Sequence, residues 1–108
     1  MKTEQISLTN ILIIGQNAKD NHDIINNADP TDLWFHVYNF PSAHVILQPA
    51  SKKVKLIYKA AVAAKSHSKA AKFSNVLIVY TPISNVVPTK TAGVVTFINI
   101  KLLKIIKV

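Results

Sequence analysis

His36 and His44 stand eight residues apart, with Asp32, Trp34 and Ser42 around them. Imidazoles beside a carboxylate and a hydroxyl could in principle bind a metal or move protons near neutral pH. The set is thin for either purpose. Two histidines and one carboxylate under-ligate a metal, and Asp32 lies four residues from His36, roughly 13 Å along an extended chain. Ser42 lacks the strand-to-helix elbow of a hydrolase nucleophile. There is no glycine-rich phosphate loop, no GxGxxG and no zinc-finger spacing. The imidazoles therefore read as structural, bonded to backbone or to Ser42 and fixing a turn. No catalysis, cofactor or metal is expected.

The second chemistry is positive charge. All 13 basic residues are lysine, the five acids fall within the first 32 residues, and the net charge is +8. From Leu33 onward there are lysines and no acid at all. So one-sided a field attracts polyanions, of which nucleic acid is the commonest; the rival reading is a solubilising surface. Lysine is a point charge rather than a planar fork, which favours backbone and shape recognition over base-specific readout.

These residues must be positioned by a few elements. Asp32 to Leu47 reads as strand, turn, strand, with Tyr38 to Ala43 as the connection. Alternation puts Asp32, Trp34 and His36 on one face and Leu33, Phe35 and Val37 on the other, which is expected to be the core face. Pairing of the two strands would bring His44 near His36. Trp34 has two readings, a core aromatic or a ring offered to an unpaired base.

Upstream, Ile6 to Ile14 reads as a buried strand stopped by Gly15, which would supply a backbone angle or a close approach. Asp20 is expected to cap a short helix through about Asn27, with Asp23 in its first turn. Downstream, Ser51 is the expected N-cap of the main helix, roughly Lys52 to His67. Its expected buried stripe is Val54, Ile57, Ala61 and Ala64, with Tyr58 beside them. Lys52, Lys55 and Lys59 then form a row on the opposite side, and Lys65, Lys69 and Lys72 continue the charge into the following turn. Such a row can be only a solvated face, yet like charges at these spacings destabilise a helix unless something neutralises them. A phosphate-tracking face is the preferred reading.

Asn75 to Tyr80 reads as a strand, Ile83 to Thr91 as a loop carrying Lys90, and Gly93 to Ile98 as a strand. Lys101, Lys104 and Lys107 recur every three residues, which taken alone fits a basic helix on a membrane surface. The isoleucine content favours β instead, so a membrane is not an expected partner. One domain spanning 1–108 is expected, of class α+β, with a largely antiparallel sheet, one main helix across it and a short N-terminal helix. No stretch is apolar for long enough to cross a bilayer, and the absence of cysteine fits a reducing compartment. A soluble, unprocessed, cytoplasmic protein is the expectation.

Asp-Leu-Trp-Phe-His at 32–36 followed by Pro-Ser-Ala-His-Val at 41–45 resembles the NFACT-R domain family. Gly15-Gln16-Asn17 with Asn21-His22-Asp23, the run from Ser74 through Pro82, and Gly93-Val94-Val95 resemble further blocks of that family in the same order. The spelling is closest to the standalone eukaryotic branch and less close to the large ribosome quality-control factors, which have Pro-Gly-Ser-His. The resemblance implies a non-catalytic RNA-binding module linked to stalled-ribosome quality control, and the standalone branch adds a link to DNA. Relative to the family, the chain lacks the accompanying domains of the large factors and the charged coiled coil of the standalone type, so a part in tailing stalled chains is not expected of it alone.

Residues and resemblance together favour structured RNA, transfer or ribosomal, as the ligand. DNA and a protein site on the ribosome are the alternatives. The candidate contacts are Lys52, Lys55, Lys59, Lys65, Lys69, Lys72 and Lys90, with Trp34, His36 and His44.

Overall fold

The computed structural model describes residues 1–108. In chain order the elements are β1 (Lys2–Gln5), β2 (Ile11–Ile14), α1 (Ala18–Asn27), β3 (Leu33–Val37), β4 (Val45–Gln48), α2 (Val54–Ser66), β5 (Leu77–Pro82), β6 (Val86–Pro88), β7 (Val95–Phe97) and β8 (Lys104–Lys107). Single 3-10 turns lie at Ile83–Asn85 and Ile100–Leu102. Six strands form one sheet in the order β1-β2-β4-β3-β5-β8, every neighbouring pair antiparallel, and β6 and β7 form a separate hairpin. The class is α+β.

The central hairpin forms with Trp34 opposite Ile46 and Phe35 opposite Val45. Its alternation is as the side-chain period requires, but both faces are buried. Leu33, Phe35 and Val37 face α2, together with Leu12, Ile14, Val45, Leu47 and Ile78. Trp34, Ile46 and Val79 make a second core with Ile24 and Ile25 of α1 and with Ile83, Val86 and Phe97. The molecule is thus three layers, and the face opposite the expected core face is roofed by α1 and the small hairpin. Trp34 is 1% exposed, enclosed in this second core.

Helix α2 is shorter and rotated relative to expectation. Lys53 occupies the N-cap without a side-chain bond, and Ser51 Oγ instead accepts from Lys53 N–H before the helix begins. Lys52 therefore lies outside the helix. The buried side is Leu56, Ala60, Ala61, Ala63 and Ala64, whereas Val54 is 76% exposed and Tyr58 half exposed. Four alanines let the helix settle onto the sheet, and close approach selected that side over the bulkier one.

At α1 the cap is Asn17, whose Oδ1 accepts from Asp20 N–H at 2.8 Å. Asp20 sits in the first turn and accepts from Gln16 N–H at 2.9 Å. The strand expected over 6–14 is a turn followed by β2, and its partner β1 is fully exposed, so it carries no apolar alternation to read. The segment 83–91 contains a 3-10 turn and β6 rather than only loop. The closing segment is β8, paired with β5. No helix is long and apolar enough to cross a membrane.

Candidate nucleic-acid interface

Strand pairing brings the two histidines together, with ring centroids 5.0 Å apart and planes nearly perpendicular. Trp34 completes the group, stacked on His36 at 5.7 Å and edge-on to His44 at 5.4 Å. The indole N–H of Trp34 donates to His44 Nδ1 at 3.1 Å, which places the His44 proton on Nε2, where it is given to the Gly93 carbonyl at 3.1 Å. Both ring nitrogens of His44 are thereby committed. His36 Nδ1 donates to the Val37 carbonyl. Burial pushes the His44 imidazolium down to about 3, with the neighbouring His36 ring adding to it. Burial also lowers His36, against the opposing pull of the Val37 carbonyl.

The pair is neutral at pH 7 and adds no charge to any surface. Ser42 does not bond either ring; its Oγ accepts from Val37 N–H and donates to the Ala43 carbonyl. Asp32 is turned elsewhere, accepting from Asp29 N–H and from the Gln48 amide. Both ring nitrogens of His44, Nδ1 of His36, the Ser42 hydroxyl and the Asp32 carboxylate are thus engaged within the fold.

Beside His36 and His44 lies a groove of about 760 Å³ at the end of the sheet. One wall is Gly15 to Ala18 with Asn21, another is Pro41 to His44, the third is Ser66 to Lys69, and Ala92 to Val94 close the fourth side. Three of the sequence blocks that carry the resemblance, centred on Gly15, on Trp34 to His44 and on Gly93, converge here. Gly15 is required by close approach: a Cβ there would overlap Asn21 Oδ1 and lie 2.9 Å from its Cγ. That carboxamide oxygen accepts from His44 N–H at 3.1 Å, so the bare glycine lets α1 lock onto the start of β4. Gly93 has φ +81, a backbone open to few other residues, and there it presents its carbonyl to His44. His22 Nε2 bonds the Val94 carbonyl at 3.2 Å and fixes the same wall to α1.

Lys2 and Lys69 line the groove, and no carboxylate does. Lys65 lies just before its third wall and Lys72 just after, while Lys90 is two residues before Ala92. Lys55 and Lys59 are exposed on α2 and do not line this groove; ten residues of helix separate Lys55 from Lys65, about 15 Å. Lys59 also bonds the Ile6 carbonyl at 3.3 Å. Of the 13 lysines, only Lys19 meets a carboxylate, that of Asp23 at 3.0 Å. Asp20 is engaged by the chain's own amino terminus. The positive field is left uncompensated.

Of the proposed aromatic and imidazole contacts, Trp34 and His44 are too deeply buried to touch a ligand, His44 being 2% exposed. His36 alone is partly open to the groove. His67 and Lys2 also line the groove, and the rings of Tyr38, Phe40 and Phe73 are exposed; none of these was among the contacts expected from the sequence. The aromatic pair flanking Asn39 ahead of Pro41 was a signal that could have found two of them.

A family model described as the NFACT protein RNA binding domain matches residues 3–97. Coiled-coil domain-containing protein 25 of Mus musculus is 36% identical over 90 residues, covering 77% of this chain and 43% of the relative. The Rqc2 homolog RqcH of Bacillus subtilis is 30% identical over 76 residues, covering 69% of this chain and 13% of that protein. The chain thus spans less than half the length of these relatives. Among solved structures, the C-terminal part of the fibronectin/fibrinogen-binding protein from Streptococcus suis shares the fold with a TM-score of 0.84 at 23% identity, over 92% of this chain and 40% of that one.

Proposed function

This chain belongs to the family of NFACT protein RNA-binding domains, and from that premise we propose that it is a non-catalytic module that grips structured RNA, transfer or ribosomal, by its phosphates. The observation that carries the reading is the acid-free groove, flanked by lysines that no carboxylate neutralises. Phosphates supply the missing counter-charge, and each neutralised phosphate releases a counterion, which makes affinity fall steeply with salt. The absence of arginine supports recognition of backbone and shape rather than base edges. Similarity to RqcH supports the ribosome, in a quality-control setting, as the place where such RNA is met.

The test is a titration of the domain against labelled transfer RNA, single-stranded RNA and duplex DNA at about 50 and 200 mM salt, the range over which phosphate contacts reveal themselves. RNA is expected to bind more tightly than duplex DNA at both salts. Two double variants locate the contact. Lys65→Glu with Lys69→Glu, beside the groove, should remove most of the affinity, and Lys55→Glu with Lys59→Glu, on the far part of α2, should remove less. Equal losses would extend the interface along the whole helix. Salt-independent binding, or wild-type affinity in both variants, would overturn a phosphate-tracking role. Tightest binding to duplex DNA would transfer the function to DNA.

A further inference from the structure

The turn after β3 exposes apolar rings where a folded domain gains nothing by doing so. Tyr38 is 50% exposed, Phe40 39% and Phe73 53%, and the Phe40 and Phe73 rings meet edge-on at 5.6 Å. Asn39 between the first two adopts φ 64, a left-handed conformation that asparagine tolerates and that turns the chain sharply between the two rings. Tyr38 and Phe40 line a second pocket of about 460 Å³, mainly apolar, which adjoins the basic groove and shares His36, Pro41, His44, Gly93 and Val94 with it. Two exposed lysines lie close to the rings along the backbone. Lys69 N–H donates to the Pro41 carbonyl at 3.2 Å, which ties Lys69 to the residue next to Phe40, and Lys72 directly precedes Phe73.

Aromatic faces set beside unpaired cations match the two halves of a nucleotide. We infer that the Tyr38–Phe40 turn, with Phe73, Lys69 and Lys72, is a stacking subsite for an unpaired base of RNA whose flanking phosphates lie along the basic groove. The inference rests on the RNA-binding reading and deepens it, because a base stacked within a duplex has no free face to offer a ring whereas a base in a loop, bulge or single-stranded end has. Stacking tolerates any base, since every base has a π-face, so the subsite selects unpaired over paired RNA without selecting sequence. The role first considered for Trp34 falls instead to rings that the hairpin turn holds in solvent.

The experiment measures binding of the domain to three RNAs with similar phosphate counts: a ten-uridine strand, the same strand with abasic positions, and a short RNA duplex. Wild type should bind the intact strand about ten-fold more tightly than the abasic one at equal salt, the scale of one base stacked on one ring. Phe40→Ala and Tyr38→Ala should each lower that ratio, and the two together should bring it close to one, while leaving the salt slope unchanged, and Phe40→Tyr should preserve it. Lys69→Ala should weaken the intact and abasic strands alike and flatten the salt slope by about one phosphate. Thermal melts identify a variant that fails to fold; should Phe40→Ala do so through its contact with Phe73, Tyr38→Ala decides the matter. Equal binding of intact and abasic strands by wild type, or a preference that survives Tyr38→Ala and Phe40→Ala, overturns the subsite while leaving RNA binding intact. Failure of wild type to bind any RNA at low salt overturns both.

Discussion

Lowering the pH from 7 to 5 should cost this fold about 2 kcal/mol through His44 alone. The imidazole is enclosed under the sheet's second layer, its Nδ1 filled by the Trp34 indole and its Nε2–H by the Gly93 carbonyl, so a second ring proton has no acceptor waiting for it. Burial sets its pKa at about 3 against the ordinary 6.5. Between those two values the unfolded chain carries the proton and the folded one does not. Stability is therefore full above about pH 6.5, declines as the pH falls, and levels off below about 3, where the accumulated loss reaches roughly 5 kcal/mol. For a domain whose total stability is on the order of 5–15 kcal/mol, that is a large fraction.

His36, lowered in the same direction by burial, adds to the loss. Asp20 is held below its ordinary 3.8, chiefly by the Gln16 N–H bond, so its contribution is present above that value and is lost only at lower pH. Urea unfolding followed through Trp34, the single tryptophan, at pH 5, 6, 7 and 8 in added salt would measure the effect with the charge field screened. Resonances of His44 should show no titration above about pH 4. A stability that stays flat from pH 7 to 5, or a His44 ring that titrates near 6.5, would refute both the burial and the hydrogen-bond chain.

The remaining predictions concern packing. Gly15→Ala drives a methyl group into the Asn21 carboxamide and removes the acceptor of His44 N–H; the expected loss is about 2–3 kcal/mol in urea unfolding. Trp34→Phe keeps most of the ring packing but strips His44 Nδ1 of its donor in a buried site, and should cost about 1–3 kcal/mol. Ala64→Leu lifts α2 off the sheet at a fully buried position and should cost about 1–3 kcal/mol, whereas Val54→Ala, on the exposed side, should leave the melting temperature close to that of wild type.

The α+β class, the central hairpin and the pairing of His36 with His44 were legible because strand alternation has a fixed period and Asp32 to Leu47 carries strong β-formers on both sides of a proline-bearing turn. The charge asymmetry is likewise a property of the chain alone, as is the absence of any acid beyond Asp32. The helix phase was not determined in this way. Val54, Leu56, Ile57, Tyr58 and Val62 place apolar groups on nearly every side of α2, so periodicity admits several buried stripes, and only the close fit of Ala60 and Ala64 to the sheet chose among them.

Strand β1 was invisible for the opposite reason, since an edge strand exposed on both faces has no pattern to betray it. Trp34 shows the limit most clearly. Alternation put it opposite the first core, and nothing local says that α1 and the β6–β7 hairpin will fold over that face and form a second one. The groove is also a product of tertiary contact. Its four walls come from segments up to 79 positions apart, from Gly15 to Val94, and they meet because a buried imidazole needs the Gly93 carbonyl and a bare Gly15 admits Asn21. Residue type decided which groups could meet a phosphate or a base; the packing of two layers on one sheet decided which of them face solvent to do it.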